Sequence, residues 1–187
     1  MRNAHIRDGV ALTKFIYWIK NTKNNSQSEI SASNYLDNLR SKNKNFFSFF
    51  FSTIAGSGPN GAIVHYRASK KTNRKLKKDD LFLVDSGAQY FDGTTDVTRT
   101  IAFSKVTNEQ KKMYTLVLKG HIAVALSTFN EKESGKTLDR HARKFLKKEK
   151  LNFDHGTGHG VGCFLNVHES PPSISPLSKH KFKKGMI

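Results

Sequence analysis

The chain of 187 residues reads as a single domain of the α+β class, and three observations predict it. Apolar residues recur at helical spacing near the N-terminus and again in the middle of the chain. A continuous apolar run, Leu81-Phe82-Leu83-Val84, and an alternating one, Val97 to Phe103, read instead as strands. Clusters of glycine, proline and asparagine punctuate the intervals. No internal repeat and no linker is visible, so residues 1–187 are assigned to one domain.

The elements follow in order. Residues 4–21 are predicted helical, because Ile6, Val10, Phe15, Ile16 and Ile19 lie near helical spacing with charges between them. Asn24-Asn25-Ser26 ends that helix, and a second is predicted over about 33–42 on the stripe Tyr35, Leu36, Leu39. A phenylalanine-rich stretch, 46–54, runs into the turn cluster Gly56-Ser57-Gly58-Pro59-Asn60-Gly61. Ala62 to Tyr66 reads as a short strand, and Lys70 to Asp80 as a polar connector. The strand at Leu81 is expected to continue through Asp85 to Tyr90, with Asp92-Gly93 as a turn and Val97 to Phe103 returning. Residues 107–128 are helical in pattern, with Met113, Leu116, Val117, Ile122 and Leu126 apolar. Residues 136–149 form another helix, with Leu138, Ala142, Phe145 and Leu146 inward. Beyond residue 150 the glycines and Pro171-Pro172 predict loops.

Composition excludes several classes. The net charge is +17, yet 24 of the basic residues are lysine and only 8 arginine, scattered in small groups. Base readout and bidentate phosphate clamps favour focused arginine. No specific nucleic-acid site is therefore expected, only weak polyanion binding at low salt. No run approaches the roughly 20 apolar residues of a membrane span, and no secretory leader is visible. One cysteine, Cys163, excludes an internal disulfide, and a cytoplasmic location is expected. Cys163 is expected to be a small buried thiol rather than a nucleophile.

Two segments carry chemistry. A carboxylate at the end of an apolar strand is unusual, because burying it ionised is costly without a compensating cation. Asp85 and Asp96 lie on opposite arms of a predicted hairpin, so both could face one cation. From the residues alone, a strand-end cap at Asp85 and a turn residue at Asp96 remain open beside that reading. The second segment is His155-Gly156-Thr157-Gly158-His159-Gly160-Val161-Gly162, with His168 following. Its glycines allow close backbone approach, and its histidines suggest a metal or an oxyanion, although any one of them could be a hydrogen-bonded structural residue. Mixed carboxylate and imidazole suits Mn, Zn, Co or Fe(II) better than Ca or Mg, and such ions support hydrolysis.

Four stretches carry a resemblance to a known family: Ala4-His5-Ile6, Gly61 to Tyr66, Asp85 to Thr100, and His155 through Val167-His168-Glu169. In these the sequence resembles the catalytic domain of the Xaa-Pro aminopeptidases, pita-bread metallopeptidases. The resemblance implies the pita-bread fold and a site of two divalent ions, Mn above all, with Zn or Co as alternatives. It implies Asp85, Asp96 and His159 as metal ligands, with Asp96 bridging the ions. It implies His65, His155 and His168 as residues that bind substrate or handle protons. The implied substrates are peptides with penultimate proline. The family has two further glutamate ligands, one of them the general base, and after His159 this chain has only Glu169, which matches neither. The pattern is therefore expected to be C-terminally incomplete, the sequence stopping at Met186-Ile187 where the strand to the first of those glutamates begins. Losing a base alone costs about 10²–10⁴ in rate. The alternative to an active peptidase is a non-catalytic remnant or a half-enzyme, working as a homodimer or with a complementing C-terminal fragment. A basic binding module is a third reading.

Overall fold

A computed structural model describes residues 1–23, 26–164 and 166–187. The predicted helix end at Asn24-Asn25 lies outside the described residues. The fold comprises two compact units: Met1–Lys105 with Cys163–Val167, and Val106–Gly162 with His168–Ile187.

In the first unit, helix α1 (Arg2–Asn21) buries Ala4, Asp8, Ala11, Leu12, Phe15 and Ile19. Ile6 and Val10, which the apolar periodicity turns inward, are exposed. The reason is Asp8: the buried face is centred on a charge, which hydrophobic periodicity passes over. The Arg40 guanidinium donates to both Asp8 carboxylate oxygens at 2.8 Å, and the Tyr90 hydroxyl donates to Asp8 Oδ1 at 2.8 Å. Helix α2 (Glu29–Ser41) starts four residues earlier than its apolar stripe predicts, because Ser28 and Ser31 form a reciprocal capping box.

Strands β1 (Phe46–Ser48) and β2 (Ile54–Ser57) follow. Then come β3 (Leu81–Ser86), β4 (Gln89–Tyr90), β5 (Gly93–Thr94) and β6 (Val97–Ala102). They form two antiparallel sheets, in the orders β1-β4-β5 and β2-β3-β6. Phe82 and Val84 of β3 face α1 and α2, closing a core with Leu12, Phe15, Ile19 and Leu36. The strand expected to run unbroken to Tyr90 divides at Gly87. A Cβ there would lie 1.9 Å from the Thr95 carbonyl oxygen, so only glycine lets the arms approach. The strand expected at Ala62–Tyr66 is instead the end of a 3₁₀ helix (Gly58–Ala62) followed by a turn. Pro59 favours that helix, and side-chain anchors at Asn60 and Tyr66 hold the turn against Glu29. Cys163 is exposed, not buried, so its place is not decided by packing.

Tyr90 gives a pH prediction. Burial first, then the charge of Asp8, holds its phenol well above the usual tyrosine range. A raised folded-state pKa contributes stability below the unfolded value, about 10, which is lost as pH rises toward the folded value. Urea midpoints are expected to fall above about pH 10, and Tyr90→Phe to make that fall shallower. An equally steep fall in the variant would exclude Tyr90 as its source.

The second unit opens with α3 (Asn108–Ala125), capped by a Thr107–Gln110 box. It packs on α4 (Gly135–Lys148) at Gly120, where a Cβ would lie 2.1 Å from the Ala142 carbonyl oxygen. Along α3 Tyr114, Val117 and Ile122 are exposed, as is Leu126 just after it. Helix α4 buries Leu138, Ala142 and Leu146 as predicted, and with them Asp139 and Arg143. The region expected to be loop contains an antiparallel pair, β7 (Gly158–Val161) and β8 (His168–Ile174). The glycines serve pairing: a Cβ on Gly160 would lie 2.5 Å from Pro172 and 2.6 Å from the Glu169 carbonyl oxygen. None of the described helices is long and apolar enough to cross a membrane.

Candidate metal centre

In the first unit, Asp85 ends the half-buried face of β3, whose other face, Phe82, Val84 and Ser86, is buried. It lies opposite Thr98 of β6. Asp96 precedes β6 by one residue and Thr98 by two. Directly paired residues share a face and alternate residues return to it, so Asp85 and Asp96 belong to one face of the sheet. Asp96 stands just beyond the ladder, in the diagonal relation to Asp85 that sets residues about 7–8 Å apart. The segment between them keeps one register: Gln89 pairs with Thr94, and Tyr90 with Gly93. Both aspartates are half-buried. The hairpin expected from sequence is present, with its turn at Phe91-Asp92, one residue earlier than the Asp92-Gly93 dipeptide predicts, because Gly93 pairs with Tyr90.

His65 lies in the turn after the 3₁₀ helix, exposed and with φ 55°. Its neighbour Tyr66 is buried and donates to Glu29 Oε2 at 2.9 Å. Glu29 is fully buried and also accepts from the Ser57 and Arg74 backbone amides, at 2.8 and 2.9 Å, and from Asn60 Nδ2 at 2.9 Å. This carboxylate therefore ties both ends of the segment carrying His65.

In the second unit, His159 lies on β7 and His168 on β8, with ring centroids 4.0 Å apart in a T-shaped contact. His159 Nδ1 is 2.8 Å from the Gly160 carbonyl oxygen, and His155 Nδ1 is 2.7 Å from that of Gly156. A carbonyl only accepts, so in the neutral rings Nδ1 carries the hydrogen and Nε2 the lone pair. For His159 that is the form a metal ligand requires, with a backbone carbonyl orienting it from behind.

Among the described residues, no group of three or more His, Cys, Asp or Glu is gathered closely enough to hold a metal. The first unit carries two carboxylates on one sheet face, and the second an imidazole oriented by a backbone carbonyl. Carboxylate oxygen with imidazole nitrogen is a set that fits a borderline divalent ion.

Five buried charges, at three places, escaped the sequence reading: Asp8 with Arg40, Glu29, and Asp139 with Arg143. Only the last had a local signal. Asp139 and Arg143 stand four residues apart on the apolar stripe of α4, where unpaired charges do not belong.

The chain belongs to metallopeptidase family M24, whose sequence pattern matches residues 1–187, and it shares the pita-bread fold of that family. Within that family it is similar to Xaa-Pro aminopeptidases. The probable Xaa-Pro aminopeptidase P of Paracoccidioides brasiliensis (strain Pb03) is 51% identical over 177 residues, covering 93% of this chain and 29% of the relative. That of Podospora anserina is 48% identical over 183 residues, covering 96% and 27%. The chain thus spans less than a third of the length of these curated relatives. Among solved structures, the X-prolyl aminopeptidase of Caenorhabditis elegans, described as a cytosolic enzyme with a di-nuclear active site, superposes with a TM-score of 0.89. It is 42% identical, with coverage of 96% of this chain and 30% of that one. The prolidase of Pyrococcus furiosus gives a TM-score of 0.84 at 28% identity, covering 98% and 51%.

Proposed function

We propose that this chain carries part of the catalytic machinery of an Xaa-Pro aminopeptidase, acting on peptides with penultimate proline. The observation that carries the reading is the placement of Asp85 and Asp96 on one sheet face at the same end of the β3–β6 ladder. Asp85, Asp96 and His159 would hold the divalent ions, with Asp96 between them and Mn as the metal, Zn and Co being alternatives. When bound, such ions supply Lewis acidity toward a peptide carbonyl and make water more acidic. The chain's own residues do the rest. The Gly160 carbonyl holds the hydrogen of His159 on Nδ1, keeping Nε2 directed to ligation. His155, in the same tautomer, can accept a proton at Nε2 or bind substrate with it. His65, exposed on its turn, and His168, packed on His159, are the remaining groups for binding substrate or moving protons. A cytosolic location belongs to this reading, as does action on peptides rather than nucleic acid.

A second reading is a half-enzyme that needs a homodimer partner or a complementing polypeptide. Two aspartates and one histidine are few donors for two ions, so both readings need further ligands beside them. One experiment separates the readings. Hydrolysis of an Xaa-Pro peptide and Mn²⁺ binding by calorimetry are measured for the chain and for Asp96→Ala. Asp96→Ala is expected to lose Mn²⁺ binding, and any hydrolysis to fall at least about 10²-fold. Binding without hydrolysis in the unsubstituted chain identifies the half-enzyme. Equal Mn²⁺ binding by both proteins would overturn the ligand assignment.

A further inference from the structure

The buried guanidinium of Arg143 is directed at the segment ahead of β7. Arg143 is 3% exposed and Asp139 2%. Nε donates to the two Asp139 oxygens at 2.9 and 3.0 Å. Nη1 donates to Asn152 Oδ1 at 2.8 Å and to the Phe153 carbonyl at 2.5 Å, and Nη2 to the His155 carbonyl at 2.6 Å. Its plane lies over the Phe153 ring at 3.8 Å, and that ring is 4.8 Å from the His155 imidazole. Asp139 in turn accepts from Thr157 Oγ1 at 2.7 Å.

Stability alone is a poor reason for this arrangement. An apolar residue at position 143 would continue the stripe of Leu138, Ala142 and Leu146, and buried ion pairs are often no better than packed hydrocarbon. What hydrocarbon cannot do is fix peptide planes. Arg143 holds the peptide between His155 and Gly156 through the His155 carbonyl. The next peptide is held by the Thr157 amide, which donates to the Ile174 carbonyl at 2.8 Å. The Gly156 carbonyl that receives His155 Nδ1–H belongs to that second peptide. Both planes must be set for His155 to keep its lone pair on Nε2.

We propose that Arg143 is a positioning residue for His155, selecting its tautomer and direction through the backbone, with Asp139 and Thr157 as its supports. The proposal rests on the reading of His155 as a group that binds substrate or handles protons. Lysine cannot reproduce the clamp, because a single ammonium lacks the planar fork that reaches several acceptors at once.

The test is a nitrogen–proton correlation spectrum of the imidazoles in ¹⁵N-labelled protein, at a pH where His155 is neutral. The unsubstituted chain is expected to show His155 with its hydrogen on Nδ1. Arg143→Lys is expected to show averaged tautomers while circular dichroism keeps its helical signal. Thr157→Val leaves the guanidinium in place and is expected to shift the same ring signals in the same direction by less; it carries the test if Arg143→Lys does not fold. In protein that hydrolyses Xaa-Pro peptides, Arg143→Lys is expected to lower kcat roughly 10-fold with KM little changed. An unaltered His155 tautomer in the folded variants would overturn the proposal. Unchanged kcat and KM for His155→Ala in the hydrolysing protein would instead overturn the reading beneath it, and the tautomer spectrum still decides the clamp.

Discussion

Asp8→Ala is expected to destabilise the first unit by about 3–5 kcal/mol, the range for removing one partner of a buried ion pair. Arg40 is fully buried and Asp8 is 1% exposed, so water cannot replace the lost carboxylate. Three donor bonds lose their acceptor together, two from Arg40 and one from Tyr90. Among the described residues, one Arg40 Nη already has no hydrogen-bond partner, so little compensation is at hand. The check is urea denaturation followed by fluorescence of the sole tryptophan, Trp18, which stacks on Tyr35 within the same unit. The double variant Asp8→Leu with Arg40→Met is expected to recover most of the loss, since it removes both charges and keeps apolar volume. An unchanged midpoint in Asp8→Ala would show that the pair is not isolated from solvent.

Glu29→Gln is expected to act more locally and almost as strongly. Its carboxylate accepts from two backbone amides, a side-chain amide and a phenol. Glutamine keeps one acceptor oxygen and turns an NH₂ toward groups that themselves donate. At least two donors are left unmet, at about 1–3 kcal/mol each. The loss should concentrate between Ser57 and Arg74, the segment those bonds close, and so around His65. Hydrogen exchange by mass spectrometry is the check: faster exchange in peptides from 57–74, with α1 protected as before. Unchanged protection there would mean that Glu29 is not what holds the His65 turn.

Much of the frame was legible in the sequence because its signals are local. The four helices follow from spacing, and the β3–β6 hairpin from an apolar run, a turn dipeptide and an alternating return. That Asp85 and Asp96 lie on opposite arms follows from those same elements, but their register does not, because the turn could centre anywhere near residues 90–93. What was not legible depends on distant partners. Asp8 looks like a surface charge until Arg40, 32 residues away, is brought against it. Ala62 to Tyr66 has strand composition, but Asn60 and Tyr66 bind Glu29 more than 30 residues upstream, and the chain turns. The glycines around His159 look like loop residues. Their use in letting β7 approach β8 appears only with Pro172 and Glu169 in place. In each case a polar or glycine residue was read for its local preference, and a tertiary partner decided otherwise.

The shared register of β3 with β6 and of β4 with β5 sets a rule about length. Side chains along a strand alternate between faces, so adding or removing one residue in either arm exchanges the faces for everything beyond it. Asp96 would trade places with Thr95 or Val97, and a carboxylate would turn toward the core while an apolar or hydroxyl group took its position. The segment between Asp85 and Asp96 can therefore change in composition far more freely than in residue count, and in the proposed site the spacing of these two aspartates counts as much as their chemistry.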